Sequence, residues 1–420
     1  MVIGGADLYL TEDVKYIIER LNAHGHRADV VGGPVRDFLL GKLPWDYDIT
    51  TSATPDEVKA AFAGERIVET GIKHGTVTLV RGGENYEITT YRIDGEYKDS
   101  RHPESVEFTK NLEEDLARRD FTMNAIAYNP KDKITDRFGG EADIKARIIR
   151  AVGDAEKRFC EDALRILRGI RFSAVLGFEI EEKTDSAMRR CAHLLKNVSA
   201  ERIFVELKKL ISGDYSYEVI EKYRDILAVF LPELFGAKLP DRERYYKCSP
   251  PIRLISLFYG LEGSAAAYRE AMSRLRTDSA TRDVGTLVLS SEEKYDTSTD
   301  LGIKLMMSEL GAEVAAARLE LEFAVGQREY AAVARVSELT SERCPYRISD
   351  LDISGADALA LGLRGSAVGA SLKELLLGVM TGKVENRRAA LISELEKIKA
   401  GRLQNEQPEE KKARAKNFRF

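Results

Sequence analysis

The stretch Val31-Gly-Gly-Pro-Val-Arg-Asp37, followed closely by Trp45-Asp-Tyr-Asp-Ile-Thr50, leaves few folds open to this chain. Ala28 to Val31 reads as a short strand, and the glycine pair after it lets the backbone turn sharply and approach a bulky anion. Pro34 suits the first position of a helix whose opening turn holds Arg36 and Asp37. The start of such a helix presents backbone N–H groups without intrahelical partners, where a phosphate can bind beside Arg36. Asp46 and Asp48 are two apart on the next predicted strand, so both point to one face. Two carboxylates on one face repel unless a cation lies between them. Mg²⁺ is commonly bound by one or two carboxylates together with substrate phosphates. Taken singly, a Gly-Gly turn is usually just a turn and an Asp-X-Asp a solvated strand end. The order strand, turn, helix, strand is what gives the pair specificity. A P-loop is excluded, because no Gly-x-x-x-x-Gly-Lys-Ser/Thr run occurs.

This combination resembles the nucleotidyltransferase superfamily that includes DNA polymerase β. The resemblance implies a divalent-metal site on Asp46 and Asp48. Polymerase-type sites often add a third carboxylate from an adjacent strand, and Glu87, in Tyr86-Glu-Ile-Thr-Thr-Tyr-Arg92, is the candidate. A solvent-facing strand glutamate reads equally well there.

A chain of 420 residues has room for roughly two to four domains. Charged residues make up 32% and hydrophobic ones 44%, the balance of a soluble globular protein. No apolar run approaches the roughly 20 residues needed to cross a membrane. The N-terminus has no basic segment leading into an apolar core, so no secretory signal is expected. Cys160, Cys191, Cys248 and Cys344 lack metal-like spacing, which points to a reducing cytoplasm. A net charge of −5 argues against indiscriminate nucleic-acid binding but leaves room for local basic patches.

Along the chain, Thr11 is the expected cap of a helix over 11–23 that buries Val14, Ile17, Ile18 and Leu21. Thr54-Pro-Asp-Glu opens a second helix. Strands are expected at 66–69, 76–80, 86–91 and 106–108, and a mobile loop at 92–104. Asn111 to about Arg119 reads as a helix, with 120–127 continuing as cover for the sheet. Beyond Gly153 the pattern is helical almost throughout. The expected fold is therefore α+β: a head of mixed sheet and helices over 1–150, then an all-α neck at 151–212, body at 213–345 and tail at 346–420. Residues 404–420, with Lys411, Lys412, Arg414, Lys416 and Arg419, read as a frayed charged tail rather than a specific RNA contact.

Cys160-Glu-Asp-Ala-Leu-Arg-Ile-Leu-Arg-Gly-Ile-Arg-Phe172 has helical spacing, with Asp162 and Arg165 as neighbours three apart and Arg168 and Arg171 following. By spacing alone this is a surface salt-bridge row. Together with Arg-Arg-Asp-Phe-Thr-Met-Asn-Ala-Ile-Ala at 118–127, Phe-Gly-Gly-x-x-Asp at 138–143 and Ser199-Ala-Glu-Arg-Ile-Phe-Val-Glu206, it resembles the successive motifs of class II tRNA nucleotidyltransferases (CCA-adding enzymes) and bacterial poly(A) polymerases. Ile353-Ser-Gly-Ala-Asp357 and Val368-Gly369 resemble that family's ending. By this resemblance Asp162 and Arg165 would read the incoming base, while Gly33, Arg36, Arg119, Arg168 and Arg171 would contact the nucleotide and its triphosphate. The carboxylate can only accept and the guanidinium only donate, which suits the amine-bearing edges of C and A and rejects U and G. Asp46 and Asp48 would hold two Mg²⁺ ions as an RNA 3′-hydroxyl attacks the α-phosphorus and pyrophosphate leaves.

The implied partners are tRNA, CTP and ATP, with no membrane, for a cytoplasmic monomer or homodimer. The full-length loop at 92–104, with Asp94-Gly-Glu-Tyr97 and Arg101-His-Pro103, favours complete CCA addition or A addition over CC addition within such a family. Poly(A) polymerase and a catalytically silent RNA-binding relative stay open. So does a nucleotidyltransferase for small molecules such as aminoglycosides, against which the base reader and the long helical region argue. No His-Asp dipeptide marks a phosphohydrolase domain.

Overall fold

A computed structural model describes residues 8–44, 46–69, 71–95, 106–290 and 295–416, without the side chains of Asp94 and 403–416. The chain divides into two compact units, Met1–Ala237 with Ala271–Thr277, and Lys238–Glu270 with Asp278–Phe420.

In the first unit, α1 (Glu12–Ala23) is capped by Thr11, whose hydroxyl accepts the Val14 N–H at 3.3 Å. Val14, Ile17, Ile18 and Leu21 are all buried, one apolar stripe at helical period. Then come β1 (Ala28–Val31), α2 (Gly33–Leu39), β2 (Ile49–Thr51) and α3 (Pro55–Ala61). The last opens with a reciprocal capping box between Thr54 and Glu57. Strands β3 (Arg66–Val68), β4 (Thr76–Arg81), β5 (Glu84–Thr90), β6 (Arg92–Asp94) and β7 (Val106–Phe108) lead to α4 (Leu112–Ala117), β8 (Ile126–Asn129), β9 (Lys133–Asp136), α5 (Gly140–Ala146) and β10 (Ile148–Ile149). Seven of these strands form one sheet in the order β3-β4-β5-β2-β1-β8-β9. β2 and β5 run parallel and the other neighbours antiparallel, so the sheet is mixed. The sequel is helical: α6 (Ala155–Glu161), α7 (Leu164–Leu176), α8 (Glu182–Cys191) and α9 (Ala200–Ile211), relieved by β11 (Glu179–Ile180), which pairs in parallel with β10.

Two expectations change here. Residues 120–127 were expected to cover the sheet, but Ile126 and Ala127 open β8 (Ile126–Asn129) within it, next to β1 through Val30↔Tyr128 and Val31↔Ala127. All four β8 residues are buried, so period-2 alternation, the usual sign of a strand, is absent. The loop expected from residue 92 begins as a strand, since Arg92–Asp94 pairs with Val106–Phe108. Its Glu96, Tyr97, Arg101, His102 and Pro103 lie outside the described residues.

The second unit is helical among its described residues. One core gathers Ile303, Met306, Met307, Leu319 and Leu339; another gathers Leu351, Leu372, Leu375, Leu391 and Leu395. Arg318 and Glu322 form a buried ion pair at 2.9 Å. Ser354 and Asp357 make a capping box, a structural role for the Ile353–Asp357 motif. The segment read as a frayed tail continues as a helix, Arg388–Lys416; Lys411, Lys412, Arg414 and Lys416 lack described side chains, and Arg419 lies outside the described residues. No helix among the described residues is long and apolar enough to cross a membrane.

Gly140 shows how closely the head is packed. A Cβ there would lie 2.2 Å from the Thr122 carbonyl oxygen and 2.7 Å from the Ile126 side chain. Gly140→Ala is therefore expected to destabilise the protein by about 2 kcal/mol or more, measured by urea unfolding.

Candidate active site

The two aspartates are held by the turn itself. β1 ends at Val31 as Gly32 swings the chain away with φ +80°. The Val31 N–H donates to the Asp48 carbonyl at 3.0 Å, so the glycine turn and the Asp-Tyr-Asp segment are tied by a backbone hydrogen bond. β2 itself starts only at Ile49. Asp46 and Asp48 thus precede the strand expected to carry them, yet alternation survives. Both aspartates are exposed, while Tyr47 between them is buried, its hydroxyl donating to the Tyr9 carbonyl at 2.7 Å. Asp48 sits in a concavity. Partial loss of water pushes its carboxyl up and the Asp46 charge pushes the same way, while Arg119 and Arg168 oppose them. In the parallel register Ile49 faces Ile88, so one step back brings Glu87 beside Asp48 on the same face. Glu87 is exposed, and among the described residues no three His, Cys, Asp or Glu side chains converge as a metal site.

α2 begins at Gly33, which places Pro34 second in the helix rather than first. Arg119 packs against the turn, with Nη1 3.2 Å from the position a Cβ on Gly32 would take, and its buried Nε has no partner among the described residues. Arg36 donates to Asn124 Oδ1 at 2.9 Å and pairs with Asp37 at 2.8 Å. The Phe172 ring gathers three guanidiniums, with Arg171, Arg36 and Arg168 at 3.7, 5.3 and 5.5 Å from its centroid.

The segment 160–172 is not one helix, as its spacing suggested. Asp162 is extended, with φ −143° and ψ 103°, and separates α6 from α7. Its Oδ1 accepts the Leu164 N–H at 3.1 Å, an aspartate turn that competes with helix continuation. Oδ2 accepts from Arg202 Nη2 at 2.7 Å. Asp162 and Arg165 are therefore not side-by-side partners on a continuous helix face. Arg165 is buried and donates to Glu161 at 2.9 Å and to the carbonyls of Arg118 and Arg158 at 3.0 and 3.2 Å.

Three supporting residues had no assigned role in the sequence reading. Asp120 pairs with Arg168 at 2.7 Å, and Glu206 with Arg171 at 2.8 Å, while Arg202 holds Asp162. The spacing of Arg202 and Glu206, i and i+4 on α9, was the available signal that they share a face. Burial alone would push the Asp120 carboxyl up. The Arg168 charge, with hydrogen bonds from Arg168, Asn124 and the Phe121 N–H, instead holds it down at about 2.

A mixed sheet with paired carboxylates just before one strand and an arginine cluster beside them defines the class of nucleotidyltransferases. Residues 28–150 match the family described as "Poly A polymerase head domain", and 177–237 match "Probable RNA and SrmB- binding site of polymerase A". The CCA-adding enzyme of Bacillus cytotoxicus is 52% identical over 206 residues, 49% of this chain and 51% of that protein. That of Geobacillus thermodenitrificans is 49% identical over 219 residues, 52% of this chain and 54% of the other. The alignments thus span about half the length of these curated relatives. The crystal structure of the Bacillus stearothermophilus CCA-adding enzyme in complex with CTP is 30% identical and superimposes with a TM-score of 0.73, covering 94% of this chain and 100% of that one. The chain belongs to the CCA-adding enzyme family.

The Asp120–Arg168 pair has a signature in pH. An unfolded aspartate titrates near 3.8 and this one near 2, so its stabilisation is complete above pH 3.8 and lost as pH falls through 2. Asp120→Asn is expected to cost about 2 kcal/mol at pH 7 and to flatten the fall in thermal midpoint between pH 4 and 2, read from melts across that range.

Proposed function

We propose that this chain completes the 3′ end of tRNA by adding CCA from CTP and ATP without a template, releasing pyrophosphate. The observation that carries this reading is the clustering of three guanidiniums on Phe172 within the electrostatic reach of Asp48, through Arg168. Arginine clamps suit triphosphate oxygens. Arg36 and Arg119, at the Gly32–Gly33 turn, would hold the phosphates from one side, and Arg168 and Arg171 from the other. Arg119 Nε is a buried donor that a bound nucleotide can satisfy.

Two exposed carboxylates that repel each other are a hard-oxygen donor set that fits Mg²⁺, and Asp46 and Asp48 would hold two such ions, with Glu87 on the same face as a further candidate. Bound there, the metal supplies Lewis-acid activation of the RNA 3′-hydroxyl and neutralises charge on the departing pyrophosphate. Asp162 is the base-reading acceptor and Arg165 its companion donor. Although Leu164 and Arg202 occupy one lone pair on each Asp162 oxygen, each keeps a second lone pair for the exocyclic amine of C or A. U and G present a carbonyl there and leave the carboxylate facing an acceptor. Such an enzyme works in the cytoplasm on tRNA acceptor ends.

The decisive experiment offers each labelled nucleoside triphosphate, with Mg²⁺, to tRNA transcripts ending before CCA, after CC and after A, and to an unrelated RNA. Two C and then one A on the shortest tRNA is the expected result. A alone on the CC-ended tRNA would make this an A-adding enzyme, and repeated A on the unrelated RNA a poly(A) polymerase. Asp46→Ala should lower incorporation about a thousandfold while tRNA binding, followed by filter retention, stays near normal. In competition assays, Asp162→Ala should reduce discrimination against UTP and GTP by about a hundredfold.

A further inference from the structure

Asp115, in α4, is fully buried and joins parts of the first unit that are distant in sequence. Its Oδ1 accepts from Arg118 at 2.6 and 2.9 Å and, more loosely, from the backbone N–H of Arg92 at 3.4 Å. Its Oδ2 faces Arg119 Nη2 at 3.4 Å and the Thr50 hydroxyl at 3.3 Å, whose single proton it shares with the Thr89 carbonyl at 3.2 Å. Thr50 lies in β2, two residues after Asp48 and on the same face, and Arg92 opens the β6–β7 ribbon. One carboxylate therefore meets the strand behind the paired aspartates, the arginine packed on the Gly32 turn and the root of the ribbon.

Arg119 also feels Asp48 and Asp120. Neither can hold it through a reaction cycle. Both Asp120 oxygens are already engaged, Oδ1 by Asn124 and the Phe121 N–H and Oδ2 by Arg168 at 2.7 Å, whereas Arg118 takes only Oδ1 of Asp115 and leaves Oδ2 to Arg119 and Thr50; Asp48 turns to a cation when one binds. Asp115 is sealed from solvent, so an incoming anion cannot displace it and its hold on Arg119 persists. We propose that Asp115 is a positioning residue for nucleotide binding, fixing the Arg119 guanidinium against Gly32 so that a triphosphate meets a charge already in place. The inference rests on the nucleotidyltransferase reading above. A charge placed at the phosphates carries no information about the base, so Asp115 should serve CTP and ATP alike.

The test is steady-state kinetics on the full chain with CTP or ATP, Mg²⁺ and the matching tRNA acceptor. Asp115→Asn is expected to raise KM for both nucleotides about tenfold with a smaller change in kcat. On an Arg119→Ala background the same substitution should change KM less than about twofold, because its effect runs through Arg119. An unchanged KM in folded Asp115→Asn, or effects that multiply in the double variant, would overturn the proposal. If Asp115→Asn does not fold, Thr50→Val removes the anchor of the oxygen that faces Arg119. It should raise KM about threefold, again only when Arg119 is present, and a folded Thr50→Val enzyme with unchanged KM would equally overturn it. Absence of incorporation by the wild-type chain would instead refute the underlying reading.

Discussion

Five arginines converge on a small region of the first unit, and like charges at such density are tolerable only if each is balanced. Each of them has a carboxylate partner, Arg36 with Asp37, Arg119 with Asp115, Arg165 with Glu161, Arg168 with Asp120 and Arg171 with Glu206, at 2.7 to 3.4 Å, and Asp115 and Glu161 also serve Arg118 and Arg158. Several of these acids are buried, where removing either member leaves an uncompensated charge. The pairing fixes side chains that would otherwise wander, and under the proposed function it would leave the positive field ready for a more highly charged anion. The head sheet and the packing of α7 against α9 are what bring the acids within reach.

Much of the head was legible because its signals were local. Thr11 and Thr54 announce helix starts through caps, and the buried stripe of α1 follows from period alone. The paired aspartates were legible as a face, though not as residues that precede their strand. β8 was missed because a strand buried on both sides has no alternation to detect, and an Asn-Ala-Ile-Ala-Tyr run fits cover and sheet equally well. The acids that support the arginines were harder still. Asp120 meets Arg168 across 48 residues and Arg171 meets Glu206 across 35, and no short window contains both members.

The break at Asp162 shows a local rule overriding a periodic one. Apolar spacing from Ala163 to Ile170 is helical, and a helix does form there, but Asp162 ends the previous helix and its side chain accepts the Leu164 N–H at the start of the next. The break frees Asp162 from the fixed geometry of a helix face. Its side chain is instead set by two hydrogen bonds, one from Leu164 beside it and one from Arg202 on a separate helix. Under the base-reading role proposed for Asp162, being held at both oxygens would help, because an acceptor that swings can satisfy either edge.

The hydrogen bond from the Val31 N–H to the Asp48 carbonyl has a consequence for how this site tolerates change over evolutionary time. It closes a loop of the chain at its two chemically important ends, so the residues in between, from the end of α2 to Pro44, form a connector whose length is uncoupled from the geometry it joins. Residues added to or removed from that connector would leave the glycine turn and the acidic pair in register. The functional core is in this sense a closed clasp, and variation is free to accumulate on its strap.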